Sequence, residues 1–75
     1  MKFEPRKFYQ HVKGRSIAVL GTVKTHRWGA MFVIEETDIT GHGISCVESN
    51  VDVGENWVEI GESEWDRNFK GVKNA

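Results

Sequence analysis

Residues 16–36, SIAVLGTVKTHRWGAMFVIEE, decide the fold. Ser16–Thr25 is rich in β-branched residues, and Ile17, Val19 and Val23 share one side of a period-2 alternation, which predicts a strand. Gly21 interrupts it. A glycine inside a strand pattern predicts a bulge, the device that lets a long strand bend within a small barrel. His26-Arg27-Trp28-Gly29 then reads as a tight turn, and Ala30–Glu36 as the returning strand of a hairpin. Met31, Phe32, Val33 and Ile34 follow one another without a polar residue, which predicts a central strand covered on both faces.

Outward from the hairpin, Lys7–Val12 reads as a short first strand closed by the turn Lys13-Gly14-Arg15. On the other side, Thr37–Gly43 carries Asp38, Thr40, Gly41 and Gly43 and reads as a loop. Ile44–Glu48 is a shorter strand, Asn50–Asn56 a polar connection, and Trp57–Ile60 the last strand. The chain then switches to helical signals. With Gly61 as N-cap, Glu64 falls at the third helical position, and Ile60 and Trp65 take the two places of a hydrophobic staple. Trp65 and Phe69 share one face of a helix over Glu62–Lys70, with Glu62 and Glu64 in its first turn and Arg67 and Lys70 in its last, as the helix dipole favours. Glycine 71 to Ala75 reads as a fraying tail.

The 75 residues, 39% hydrophobic and 28% charged, suit one globular domain over 1–75 with a core over about 7–70 and flexible ends at 1–6 and 71–75. A core of this size rarely supplies more than ~3–5 kcal/mol, so each large apolar residue has a structural task first. The fold class expected is mainly β: a small SH3-like β-barrel of four to five short antiparallel strands with a short C-terminal α-helix. The single cysteine, Cys46, cannot form an internal disulfide. That points to a reducing, cytoplasmic setting, as does a leading segment with no apolar run of the signal-peptide kind. No stretch of 18 consecutive apolar residues occurs, so no membrane partner is expected.

Two segments resemble something more particular. FYQHVKGRSIAVLG, followed by GTVKT, and later NWVEIGESEW are similar to a group of small bacterial and phage domains. These open with an aromatic-x-His-x-Lys-Gly pattern before a V-L-G strand and close with a Trp-containing strand leading into a short helix. The resemblance covers roughly positions 8–21 and 56–69 and rests on short motifs. It implies a compact barrel and a phage or prophage origin, and carries no catalytic or binding residues with it.

Charge is divided along the chain. Residues 1–28 hold seven basic side chains against one acid, a net +6, and residues 29–75 hold three against ten, a net −7. The basic half offers Lys13, Arg15, Lys24, His26, Arg27 and Trp28 as candidate binding residues for a partner protein or nucleic acid. Cations would meet phosphates or acids, and the rings would stack on bases or anchor a protein interface. The same charges also serve to protect sheet edges. The acidic half could dock on a basic protein, and Glu35, Glu36 and Asp38 lack the spacing of a Ca²⁺ loop. Three His and one Cys at 11, 26, 42 and 46 have no paired spacing for zinc, so no metal or cofactor is expected. A thiol enzyme built on Cys46 and His42 lacks an orienting third group, and Cys46 reads more simply as a small buried hydrophobe. Trp65 reads as core, Trp28 as either an exposed interface ring or a ring folded back onto the sheet, and Trp57 as a ring on a strand that leaves one large apolar group in need of cover, which the helix could supply. The function expected is a non-enzymatic module acting by protein–protein contact, with a nucleic-acid-binding barrel as the alternative and a Cys46/His42 enzyme as a second one.

Overall fold

A computed structural model describes the backbone of residues 1–38 and 41–73 and the side chains of residues 1–37 and 41–68. Five strands form one antiparallel sheet: β1 (Phe8–His11), β2 (Ser16–Thr25), β3 (Gly29–Asp38), β4 (Gly41–Glu48) and β5 (Trp57–Ile60). A helix, α1 (Glu62–Lys73), follows. The spatial order is β4-β3-β2-β1-β5. The mainly β class, the strand count and the terminal helix are those read from sequence. Closure into a barrel is not: β4 and β5 are the two edges of an open sheet. Physically, β5 has only four residues and all of them pair with β1. The segment before it fills the gap with a side chain instead of a ladder, since Val53 packs on the core and its amide donates to the Met1 carbonyl at 2.9 Å.

The bulge is where the glycine placed it, and its consequence reaches further than the sequence suggested. Val19 pairs with Ile34 and Gly21 with Val33, leaving Leu20 as the extra residue. One inserted residue reverses the side-chain alternation beyond it. Ile17 and Val19 therefore face the core, whereas Val23, expected beside them, is turned to the opposite face and is 41% exposed. The reading of β3 is corrected as well, because α1 covers only part of the second face. Phe32 and Ile34 are buried, Met31 and Val33 are only half-buried, and Ala30 is exposed. The strand is covered on both faces only near Ser16–Val19 of its neighbour.

The core occupies one face of the sheet. Phe3, Tyr9, Ile17, Val19, Phe32 and Ile34 form it, with Met1, Val47, Val53 and Trp57 packed around. Phe3 corrects the expected boundary of the core at residue 7. Its ring lies 4.7 Å from Tyr9 and edge-on to Trp57 at 5.2 Å, so the cover Trp57 needs comes from the N-terminal segment, not the helix. That segment is also tied by hydrogen bonds. The Glu4 amide donates to the Tyr9 hydroxyl at 2.9 Å, the Arg6 amide to the Val19 carbonyl at 2.8 Å, and the Met1 ammonium to Asp52 Oδ1 at 2.8 Å.

Burial pushes the Tyr9 phenol above its ordinary 10.0. A group held protonated by the fold contributes stability that is complete below its unfolded pKa and lost as pH rises through its folded one. The chain has a single tyrosine, so the effect has a clean optical label. In an alkaline titration, phenolate absorbance is expected to rise together with the loss of β-sheet circular dichroism. A phenolate that forms below the unfolding transition, with the sheet signal intact, would contradict this placement.

The second face is covered by α1 over part of its area only. Ser16, Ala18 and Thr37 are buried there. Asn68 Nδ2 donates to Ser16 Oγ at 3.0 Å, and Trp65, itself buried, lies 6.1 Å ring to ring from Phe8. The Trp65 amide donates to the Gly61 carbonyl at 3.0 Å, which makes Gly61 the N-cap as expected. The helix runs to Lys73, through part of the expected tail, while the side chains of Phe69 and Lys70 and residues 74–75 lie outside the described residues. The expected loop 37–43 is mostly strand: β3 continues to Asp38 and β4 begins at Gly41, with Thr40 outside the described residues.

Candidate interaction surface

The six candidate residues do not form one patch. Lys13 and Arg15 sit at the start of β2 and Lys24, His26, Arg27 and Trp28 at its end, ten residues apart along the strand. At a rise of about 3.3 Å per residue that is on the order of 30 Å, in a molecule whose longest dimension is 38 Å. A β-strand separates what two turns with the same composition seemed to bring together.

At the first turn the cation is already engaged. Arg15 Nε donates to Glu36 Oε2 at 2.6 Å, its Nη2 also meets that carboxylate, and the guanidinium stands 5.7 Å from the centre of the Trp57 ring. His11 packs edge-on to the same ring at 4.9 Å, and its Nδ1 accepts from the Lys13 amide at 3.1 Å. This end is a structural knot. Further along, Lys7 pairs with Glu4 and Glu59 at 3.4 and 3.5 Å, and the N-terminal ammonium with Asp52. Part of the charge division along the chain thus becomes contact between the halves, through Arg15, Lys7 and the N-terminal ammonium. Exposed pairs of this kind are screened by solvent and add little to stability.

The tip of the β2–β3 hairpin is organised differently. Thr25 pairs with Gly29 across the turn. The Thr25 hydroxyl accepts from the Trp28 amide and donates to the Gly29 carbonyl, both at 2.9 Å. Gly29 has φ 71°, the left-handed conformation that a three-residue hairpin loop requires after its turn. One hydroxyl and one glycine therefore fix the loop that holds His26, Arg27 and Trp28. Trp28 is 59% exposed, and the Arg27 guanidinium covers its ring at 5.4 Å. Among the described residues, Lys24, His26 and Arg27 have no acidic partner.

An apolar strip runs from this tip along the face that α1 leaves open. Val23 and Met31 are register partners, as are Val33 and Cys46, and Ile44 lies opposite Glu35. Composition did not single out these residues, because they differ from core residues only by the side of the sheet they face, which the bulge sets for Val23 and plain alternation for the rest. Cys46 is exposed here, so its expected role as a buried hydrophobe is corrected: β4 is an edge strand and the side chain points away from the core face. Alternation places His42 and Cys46 on one face of β4, about 13 Å apart, whereas a thiol and its base must meet within hydrogen-bond reach. No group of three or more metal-ligating side chains occurs among the described residues, and Asp38 of the acidic trio lies outside those with described side chains. No helix is long and apolar enough to cross a membrane.

No protein-family model, curated protein or solved structure matches the chain.

Proposed function

We propose that the protein is a non-enzymatic binding module that grips a partner protein with the tip of its long hairpin. The observation that carries this is Trp28, an exposed ring held in one place by Thr25 and Gly29 and overlaid by Arg27. Exposed Trp and Arg are the residue types that most often anchor protein interfaces. Lys24 and Arg27, without an acidic partner among the described residues, and the apolar strip behind the ring fit a partner with an acidic rim about an apolar pocket. Membership of the SH3-like barrels belongs to the same reading, supported by the strand order and the bent β2. A cytoplasmic setting and a phage or prophage origin also belong to it, supported by the sequence alone.

Nucleic acid is the second reading, favoured by cations beside a ring that could stack on a base. It is weaker because Arg15 is neutralised by Glu36 and Lys13 lies at the far end of β2, which leaves few phosphate contacts in reach. Trp28→Ala and Arg27→Glu variants separate the readings. Each is expected to weaken capture of the partner from host lysate at least ~10-fold with an unchanged thermal midpoint, since neither residue supports the core. Labelled single-stranded and duplex oligonucleotides at low salt, where phosphate contacts are strongest, are expected to show no binding at micromolar protein. Binding there, lost in both variants, would replace the protein reading by the nucleic-acid one.

A further inference from the structure

We infer that β4 is a self-pairing edge, through which two copies of the chain join antiparallel about a two-fold axis at Ser45. The two edges of the sheet differ sharply. β5 has four residues, a length that limits its use as a template, whereas β4 has eight and pairs only with β3. Its ladder with β3 runs from Asp38–Gly41 to Met31–Glu48 without a register shift. Gly41–Glu48 contains no proline, no lysine and no bulge, the usual means of blunting an edge. His42 through Cys46 are all exposed, and Ile44 is 69% exposed in the middle of the strand. α1 reaches β4 from the second face, yet the exposed run His42–Cys46 leaves a regular edge whose backbone donors and acceptors can meet a matching strand.

The sequence of the edge says which strand matches. A two-fold axis perpendicular to the sheet keeps each side chain on its own face, so only registers centred on a residue are allowed. Centred on Ser45, Ile44 of one copy lies opposite Cys46 of the other, and His42 opposite Glu48. Both apolar residues meet an apolar partner. Centred on Cys46, Ile44 would face the Glu48 carboxylate. Centred on Ile44, Cys46 would face His42. The Ser45 register alone pairs like with like. It also joins the apolar strips of the two copies across the axis, since Val33 lies directly behind Cys46. An edge contact of this length is small, which places it among weak, concentration-dependent interfaces.

The test uses the full chain. Sedimentation velocity over a concentration series is expected to show a reversible monomer–dimer equilibrium, shifted toward monomer at least ~10-fold by Ile44→Lys, a charge at the centre of the edge. The thermal midpoint of the monomer should not change, because Ile44 contributes nothing to the core. Register is read by disulfide trapping in a Cys46→Ser background, with diamide as the oxidant that takes up two electrons and two protons from the thiols. Ser45→Cys puts two thiols opposite each other, within the reach of a disulfide, and should trap the dimer. Gly43→Cys, on the same face in open space, separates its two thiols by four residues and should not. A chain that stays monomeric at its highest concentration overturns the proposal, as does equal trapping by the two variants. A strand from some other protein on this edge would leave the pure chain monomeric and so falls under the first of these results.

Discussion

Phe3→Ala is expected to lower the unfolding free energy by about 3–5 kcal/mol, the cost of emptying an aromatic site in a core. Phe3 is 7% exposed and fills the space between Tyr9 and Trp57. A domain of this size holds roughly 4–11 kcal/mol in total, so the variant should be barely folded at room temperature. The loss is large because several contacts fail together. With the ring gone, Trp57 loses its edge-on contact with Phe3, and the short bonds from Glu4 and Arg6 to Tyr9 and Val19 lose the anchor that holds their segment in place. Urea titration followed by tryptophan fluorescence measures this, with Lys2→Ala as the neighbouring surface control, expected within about 0.5 kcal/mol of the parent. A loss below ~1 kcal/mol for Phe3→Ala would show that the leading segment does not contribute to the core.

Trp65→Ala is the second large effect, expected at about 3–5 kcal/mol, and it should have a distinct signature. A helix of twelve residues is marginal by itself in water. What keeps α1 folded is its seat on Phe8, Ser16 and Ala18, and Trp65 is the large buried side chain in that seat among the described residues. Removing it should abolish helical circular dichroism in proportion to the whole helix, not only lower the midpoint. Amide exchange of residues 62–68 is expected to become fast before the sheet unfolds. Helix and sheet melting together, at an unchanged temperature, would contradict the seat.

The elements were legible because their signals are local. Gly29 and Gly14 each occupy a left-handed position in a turn, Gly61 caps the helix, and Gly21 stands beside the bulge. What escaped is what one strand does to another. The composition of residues 31–34 gives no sign that half of them lack cover, since that depends on how far α1 extends over the sheet. Phe3 stands before a proline in a polar segment, and only its proximity to the gap beside Trp57 makes it core. Arg15 looked like a free cation because Glu36 is 21 residues away in sequence. The candidate site divided for the same reason: turn chemistry identifies a turn without saying at which end of a strand it lies. That Trp28 stands at a turn was legible; that its ring stays exposed instead of folding back onto the sheet was not, nor was the Thr25 hydroxyl that fixes its backbone.

The extra residue at Leu20 gives one strand two unrelated sets of constraints. On its near side, Ile17 and Val19 answer to a packed interior in which a methyl group matters. Beyond it, Val23, Lys24 and the loop to Trp28 answer only to water and to whatever the protein meets. Substitutions at Val23, Lys24, His26, Arg27 and Trp28 leave the interior undisturbed, so this surface can drift over generations while Thr25 and Gly29 keep the loop in shape.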